Sequence, residues 1–371
     1  MGDEVRPFVI DVPEGVMADL RSRLANARWP DPEVVADWSQ GAPLAYVRRL
    51  ADWWRDEYDW RAREAHLNSF DQFVTELDGA DVHFVHLRSA DTAAVPLLIT
   101  HGWPGSFAEF QRAYRPLVAA GFHVIAPSLP GYGFSAKPTT PGTTARRIAE
   151  LWAALMARLG YSRYLAHGGD WGSVITSQIG VIDPGHCAGI HVTMSMTSMP
   201  SGPPTEPDEL RAIERFQQYV AVDAGYANQQ KTRPQTLGYG LHDSPVGQLA
   251  WILEKFWAWT DHRHAPDDPV AVLGRDEVLD DITLYWVTGT ATSSARLYWE
   301  SFGKITQPPV GVPTGVASYP AEIVPPVRKW MEPVFTNITH WREYDRGGHF
   351  PAWEVPATFV ADLVEWAAPL R

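Results

Sequence analysis

The segment 168–173 reads Gly-Gly-Asp-Trp-Gly-Ser and follows a short apolar run, which predicts a sharp strand-to-helix turn with Asp170 at its centre. Such a turn strains the backbone of its central residue, so small residues must flank it. The helix dipole would favour the charged form of Asp170 at the start of the helix predicted over 174–182. The pattern is that of a nucleophile elbow in which Asp takes the place of Ser. The alternative is an Asp that only caps a helix after a glycine-rich turn.

The segment 101–106, His-Gly-Trp-Pro-Gly-Ser, directly follows the apolar run 95–99. In an elbow architecture a loop at this place supplies one backbone N–H of an oxyanion hole, and the residue after the nucleophile, Trp171, supplies the other. We expect His101 itself to be structural, because this loop offers its backbone to the site.

A candidate base lies in the glycine-rich segment 346–350, where His349 follows the last predicted strand. An imidazole can accept a proton from water near neutral pH. Glu322 follows the strand predicted over 313–317 and is the candidate that holds the His349 tautomer. Asp345 and Glu343 are closer in sequence, but they sit on or beside the loop of His349 and would reach its ring awkwardly.

These side chains need a scaffold that brings them together. Apolar runs at 95–99, 124–126 and 164–166 are each followed by a glycine-rich loop and a helix. This rhythm predicts an α/β fold with a mostly parallel sheet covered by helices on both faces. Strand signals resume at 313–317 and 341–344 after a long, Trp-rich helical block, which we interpret as a lid inserted between two halves of the sheet.

The sequence pattern of the N-terminal part predicts helices followed by a hairpin. Pro13 suits the first position of a helix, a second aromatic helix follows, and the Asp78-Gly79 pair predicts a tight turn between two strands. We therefore expect an N-terminal meander with the first strands (1–90), a first core half (91–200), a helical lid (201–305) and a second core half (306–371).

Composition excludes several classes of function. The 371 residues carry 31 Lys and Arg against 44 Asp and Glu, a net charge of −13, which disfavours nucleic acid and anionic membranes as partners. The single Cys187 cannot form an intrachain disulfide or a thiolate metal cluster. No apolar run approaches the length of a membrane span and no signal peptide is evident, so we expect a soluble, cytoplasmic protein.

Metal and cofactor sites are not indicated. The only close histidine pairs, His262 with His264 and His83 with His86, have no third ligand at a recognisable spacing. No dinucleotide or phosphate-binding glycine motif is present. We expect neither a metal nor a cofactor.

Taken together, these motifs resemble the microsomal-type epoxide hydrolases of the α/β-hydrolase superfamily over almost the whole chain. The matching segments outside the lid are 6–8 with 24–30, 101–106, 169–173, 320–322 and 347–350. Two lid segments match as well: one comprises 223–226 and 242–247, the other 284–290 and 296–298.

The resemblance implies a role for each matching residue. Asp170 would attack the epoxide, and Tyr226 and Tyr298 in the lid would protonate its oxygen. His349, oriented by Glu322, which in this family is Glu or Asp, would activate water. The amides of Trp103 and Trp171 would form the oxyanion hole. The membrane anchor of the mammalian members has no counterpart, and the implied partner is a small epoxide.

Three rival functions remain at this stage. A haloalkane dehalogenase shares an Asp nucleophile followed by Trp, although the two lid tyrosines and the N-terminal meander speak against it. A serine esterase would need Ser in the elbow. A catalytically silent binding protein would be expected to lack a member of the triad. The Trp-rich lid is compatible with a bulky, aromatic or lipophilic epoxide, and the oligomeric state stays open.

Overall fold

The computed structural model describes residues 4–194, 203–263, 265 and 267–371. His264 therefore lies outside the described residues. The described chain forms a nine-stranded sheet with the order β1-β2-β3-β5-β4-β6-β7-β8-β9. The strands are β1 (Arg6–Phe8), β2 (Gln72–Leu77), β3 (Ala80–Leu87), β4 (Val95–Thr100), β5 (Phe122–Pro127), β6 (Tyr164–Gly168), β7 (Cys187–Val192), β8 (Thr314–Ser318) and β9 (Ile338–Glu343).

The sheet is antiparallel at one edge and parallel elsewhere. Strands β1, β2 and β3 pair antiparallel, and β3 also runs antiparallel to β5. From β5 through β4, β6, β7 and β8 to β9, every neighbouring pair is parallel. Parallel strands are covered on both faces, which explains why β4 and β6 are almost continuous apolar runs with nearly every residue buried. This arrangement confirms the predicted α/β-hydrolase fold class.

Helices cover the sheet and fill the insertion between β7 and β8. Those outside the insertion are α1 (Glu14–Ala25), α2 (Leu44–Asp56), α3 (Trp60–Leu67), α4 (Gln111–Ala119), α5 (Ala145–Arg158), α6 (Asp170–Ile182), α14 (Arg328–Met331), α15 (Pro351–Glu354) and α16 (Pro356–Ala367). The inserted helices are α7 (Pro207–Val222), α8 (Gly225–Thr232), α9 (Pro234–Asp243), α10 (Pro245–Trp259), α11 (Pro269–Leu273), α12 (Arg275–Thr288) and α13 (Ala291–Ser301). Among the described residues, no helix is long and apolar enough to cross a membrane.

The N-terminal helices pack against the inserted helices α10 and α12. The Trp54 indole donates to Thr283 Oγ1 at 2.9 Å, and the Tyr58 hydroxyl donates to Asp280 Oδ1 at 2.8 Å. Arg63 forms an ion pair with the same fully buried Asp280 carboxylate. The N-terminal segment thus buries its apolar face on another part of the chain, as its lack of a core of its own predicts.

Sequence patterns located most elements but missed two strands. The hairpin turn falls at Asp78 and Gly79, which both have positive φ, as expected. Strand β1 is only three residues long, and β7 contains Gly189 and His191 instead of a continuous apolar run, so neither gives a clear strand signal. Helix α6 begins at Asp170 itself rather than at Val174.

Candidate active site

Asp170 stands in the sharp turn between β6 and α6 with a positive φ of 49°. Glycines make this turn sterically feasible. A Cβ on Gly168 would lie 2.1 Å from the carbonyl oxygen of Gly172, and one on Gly172 would lie 2.0 Å from the carbonyl oxygen of Thr100. The turn therefore packs directly against the end of β4, and it projects the Asp170 carboxylate from the first residue of a helix.

Two groups approach the Asp170 carboxylate. The backbone amide of Trp103 donates to Asp170 Oδ1 at 2.8 Å, and Nε2 of His349 lies 3.3 Å from Oδ2. A Cβ on Gly102 would lie only 2.2 Å from Oδ1, so glycine at this position allows the loop to come this close. The loop after β4 thus presents its backbone to Asp170, as expected. His101 is buried beneath it, where its Nε2 accepts from the Leu129 amide.

His349 and Glu322 form a buried pair behind Asp170. Nδ1 of His349 lies 2.7 Å from Oε1 of Glu322, which also accepts from the Ile323 amide at 2.7 Å. Burial opposes a charge on the His349 imidazole, but the carboxylates of Glu322 and Asp170 outweigh it and raise the pKa of His349 well above its usual value. Asp345, the rival acid, is exposed.

These three residues follow the carboxyl ends of three parallel strands. Asp170 follows β6, Glu322 follows β8, and His349 follows β9. Ligands of open α/β sheets bind beyond this edge, because loops after parallel strands converge there. Their order along the chain, Asp170, Glu322 and His349, matches the order in which the α/β-hydrolase fold carries its nucleophile, acid and base.

Two tyrosines from the inserted helices face this edge. Tyr226 on α8 and Tyr298 on α13 have ring centroids 5.7 Å apart at an interplanar angle of 78°. Burial raises the pKa of both phenols well above its ordinary value, so both are protonated at neutral pH. Trp103 stacks on Tyr226 at 5.0 Å and 9°, and Trp171 contacts Tyr298 edge-on at 5.0 Å and 85°.

A cavity of about 70 Å³ joins the carboxylate to the tyrosines. It is lined by Asp170, Trp171, Val174, Met194, Phe216, Tyr219, Tyr226, Tyr298, Phe302, Ile323 and Val324. A wider cleft of about 1390 Å³ shares Tyr219, Tyr226 and Ile323 with it and carries Trp251, Trp257 and Trp259. A largely apolar chamber with one carboxylate and three phenols therefore adjoins a broad aromatic cleft.

The sequence analysis did not identify three further residues that lie in or near the site region: Tyr219, Lys255 and Glu109. The Tyr219 hydroxyl donates to the Tyr226 hydroxyl at 3.3 Å. Nζ of the buried Lys255 lies 4.7 Å from the centroid of the Tyr226 ring. Glu109 is buried just beyond the segment 101–106. Only the position of Glu109 next to a motif could have drawn attention to it; the other two contacts depend on how the inserted helices pack.

A group able to hold a metal lies elsewhere in the sheet. Nε2 of His191 and Nε2 of His340 each lie 2.8 Å from one oxygen of the Asp362 carboxylate. The three residues of this group come from β7, β9 and α16, so their spacing in the sequence does not indicate that they lie together. His340 Nε2 is hydrogen-bonded to the Asp362 carboxylate, whereas His191 Nε2 lies close to the other carboxylate oxygen without forming a hydrogen bond.

The sheet topology, the Asp170 turn with positive φ, and Glu322 and His349 after later strands define the protein as an α/β-hydrolase with an aspartate at the elbow position. Sequence comparisons agree with this assignment. A profile described as "Epoxide hydrolase N terminus" matches residues 5–110, and one described as "alpha/beta hydrolase fold" matches residues 95–237.

Relatives that align over nearly the whole chain identify the family within this class. The chain is 46% identical to a putative epoxide hydrolase of Stigmatella aurantiaca over 379 residues, 99% of this chain and 86% of the relative. It is 32% identical to epoxide hydrolase 1 of Sus scrofa over 97% of this chain and 88% of the relative. The chain belongs to the epoxide hydrolase family.

Solved structures give the same result. The juvenile hormone epoxide hydrolase of the silkworm Bombyx mori superimposes with a TM-score of 0.93 at 32% identity, covering 99% of this chain and 95% of that one. The epoxide hydrolase of Aspergillus niger gives 0.90 at 31% identity, covering 99% and 97%.

Proposed function

We propose that the protein converts an epoxide and water into a vicinal diol through a covalent ester on Asp170. The observation that carries this proposal is one cavity lined by Asp170 and by Tyr226 and Tyr298, whose phenols are protonated. An epoxide needs a nucleophile at carbon and an acid at oxygen at the same moment, and this chamber supplies both without a cofactor.

In the first step, Asp170 attacks one ring carbon. The carbon–oxygen bond of the epoxide breaks, and its oxygen takes a proton from one of the two phenols. The product is a hydroxyalkyl ester of Asp170 together with a tyrosinate. The imidazolium of His349 then returns a proton to the tyrosinate and becomes neutral, since alkylation has removed the negative charge on Asp170 that favoured the imidazolium.

In the second step, neutral His349 takes a proton from water as the water oxygen attacks the ester carbonyl carbon. The amides of Trp103 and Trp171 stabilise the oxyanion that forms. Collapse expels the diol alkoxide, which is protonated from His349. The resulting acid form of Asp170 gives its proton back to His349, and the resting state is restored. Glu322 keeps the imidazole oriented throughout.

We also propose that the inserted helices act as a lid and that the substrate is a bulky lipophilic epoxide. The wide cleft next to the cavity carries four indoles, those of Trp38, Trp251, Trp257 and Trp259, which offer large apolar contact surfaces. The reactive chamber itself is small, which favours an epoxide with one bulky and one small end.

A substrate panel tests this proposal. Styrene-type, aliphatic and bulky lipophilic epoxides are incubated with the enzyme and with Asp170→Ala, and the diols are resolved by chiral chromatography. Chlorinated and brominated alkanes are assayed in parallel for halide release. We expect diol from the epoxides, no halide, and no turnover by a folded Asp170→Ala variant. Halide release without diol would instead indicate a dehalogenase.

A further inference from the structure

Lys255 is a buried cation that the mechanism above does not use. It lies on α10, and only 2% of the residue is exposed. Its Nζ forms an ion pair with Oδ1 of Asp223, lies 2.7 Å from Oε2 of Glu254, and donates to the Asp223 carbonyl oxygen at 3.3 Å. Removing an ammonium group from water is costly even where carboxylates pair with it, so stability alone does not account for a lysine at this position.

The Lys255 ammonium lies against the ring of Tyr226. Its Nζ is 4.7 Å from the centroid of the Tyr226 ring and 5.6 Å from that of Trp259. These two rings contact each other edge to face, with centroids 5.2 Å apart and an interplanar angle of 61°. A cation within about 6 Å of a ring centroid is attracted by the negative face of the ring. The ammonium therefore interacts with the Tyr226 ring as well as with its carboxylate partners.

The other phenol of the cavity has different surroundings. Among the described residues, no Lys or Arg lies over the Tyr298 ring. Phe302 stacks on that ring with centroids 5.9 Å apart, and Nζ of Lys231 lies over Phe302, 5.2 Å from its centroid. Both Tyr226 and Tyr298 line the cavity with Asp170, but only Tyr226 has an ammonium group over its own ring.

We propose that Tyr226 is the phenol that gives its proton to the epoxide oxygen, and that the Lys255 ammonium stabilises the tyrosinate left behind. This inference rests on the two-step mechanism proposed above. As the carbon–oxygen bond of the epoxide breaks, the O–H bond of Tyr226 breaks too, and its electron pair stays on the phenol oxygen and spreads into the ring.

The interaction with Lys255 changes during this step. A neutral phenol offers the ammonium only the partial negative charge of its ring face, whereas a tyrosinate carries a full negative charge. The attraction to Lys255 therefore grows as the proton leaves Tyr226. An interaction that is stronger in the transition state than in the ground state lowers the barrier. Lys255 acts through Tyr226 and makes no contact with the epoxide in this scheme, so it is a positioning residue.

The carboxylates beside Lys255 oppose its effect on Tyr226. Loss of the Lys255 charge would remove the attraction for the tyrosinate and leave the carboxylates of Asp223 and Glu254 without their partner. Loss of the Glu254 carboxylate would leave the ammonium less neutralised. The two changes break the same contact between Lys255 and Glu254 but act in opposite directions on a tyrosinate. Glu254→Gln is therefore a matched control for a purely structural role of this contact.

Single-turnover kinetics with a styrene-type epoxide, followed by intact-protein mass spectrometry, tests the inference. Lys255→Gln removes the charge but keeps an amide that can donate to Asp223. We expect it to slow ester formation by about three- to thirtyfold, the range of a partly desolvated cation over an aromatic ring, and to change ester decay little. Lys255→Arg keeps the charge and should restore most of the rate, and Glu254→Gln should not slow ester formation. Lys255→Met, which also lacks the charge, replaces Lys255→Gln if that variant does not fold.

The tyrosine variants assign the proton donor. In a Tyr226→Phe background no tyrosinate forms next to Lys255, so Lys255→Gln should cause no further loss. In a Tyr298→Phe background Lys255→Gln should still slow ester formation by its full factor. The reverse pattern would mean that Tyr298 gives up the proton and would overturn the inference.

Three further results would overturn the role of Lys255: unchanged ester formation in the folded, uncharged variant, equal slowing of both chemical steps in that variant, or the same loss in Glu254→Gln. The variant His349→Gln distinguishes these failures from failure of the mechanism. Ester that accumulates in His349→Gln while the Lys255 variants behave like the wild type would refute only the role of Lys255. Absence of ester in His349→Gln would refute the two-step mechanism itself.

Discussion

The indole of Trp103 lies almost parallel to the phenol ring of Tyr226, with centroids 5.0 Å apart and an interplanar angle of 9°. Trp103 belongs to the loop whose amide contacts Asp170, and Tyr226 belongs to an inserted helix. Stacked aromatic pairs contribute about 0.5–1.5 kcal/mol beyond their burial. The stack therefore links the position of the proposed acid Tyr226 to the loop whose amide contacts Asp170.

The two cavity phenols should control the first chemical step. Tyr226→Phe and Tyr298→Phe should each slow alkylation of Asp170 by roughly ten- to a thousandfold, because each removes one donor to the epoxide oxygen. The double variant should nearly abolish alkylation and affect ester hydrolysis less. Single-turnover kinetics measures both rates, and wild-type alkylation by the double variant would rule the phenols out.

Tyr219 should act only through Tyr226. Its hydroxyl donates to the Tyr226 hydroxyl, which leaves the Tyr226 proton free to point elsewhere and stabilises the phenolate once that proton is lost. Tyr219→Phe should slow alkylation by about two- to tenfold, the value of one neutral hydrogen bond. In a Tyr226→Phe background the same change should have no further effect. Additive losses in the double variant would show that Tyr219 contacts the substrate independently.

Glu322→Gln should slow the second step by weakening the base. Removing the Glu322 carboxylate takes away a charge that raises the pKa of His349, so that pKa should fall. Since His349 acts on water only when neutral, the acid limb of ester hydrolysis should move to lower pH while the maximal rate drops. The rate of ester decay against pH measures both effects. The exposed Asp345 provides the control, and a larger defect in Asp345→Asn would reassign the acid.

The glycines of the elbow should be required for stability. Gly172→Ala would place a methyl group 2.0 Å from the Thr100 carbonyl oxygen, and such overpacking costs about 1–3 kcal/mol or more. Gly185→Ala is the matched control, because a Cβ there meets nothing within 4 Å. Urea unfolding should show a lower midpoint for Gly172→Ala only. Equal midpoints would mean that the turn relaxes at little cost.

Sequence patterns predicted much of the fold around Asp170 because the elbow is a local structure. The spacing of Gly168, Asp170 and Gly172 encodes a turn that only small flanking residues permit, and the strands before it are apolar because both sheet faces are buried. Contacts between elements that are distant in sequence produce no such local pattern. Lys255 of α10 lies 4.7 Å from the centroid of the Tyr226 ring of α8, and the Tyr219 hydroxyl of α7 donates to the Tyr226 hydroxyl at 3.3 Å. Neither spacing nor composition encodes these distances.

The central claim is that Asp170 becomes covalently attached to the substrate, and isotope transfer tests it most directly. Excess enzyme is mixed with a limiting amount of epoxide in water enriched in heavy oxygen, so that each molecule turns over at most once. The ester mechanism predicts a diol without heavy oxygen and a proteolytic peptide containing Asp170 that has gained one heavy oxygen atom. Heavy oxygen in the diol and none in that peptide would show direct attack of water on the epoxide and contradict the account.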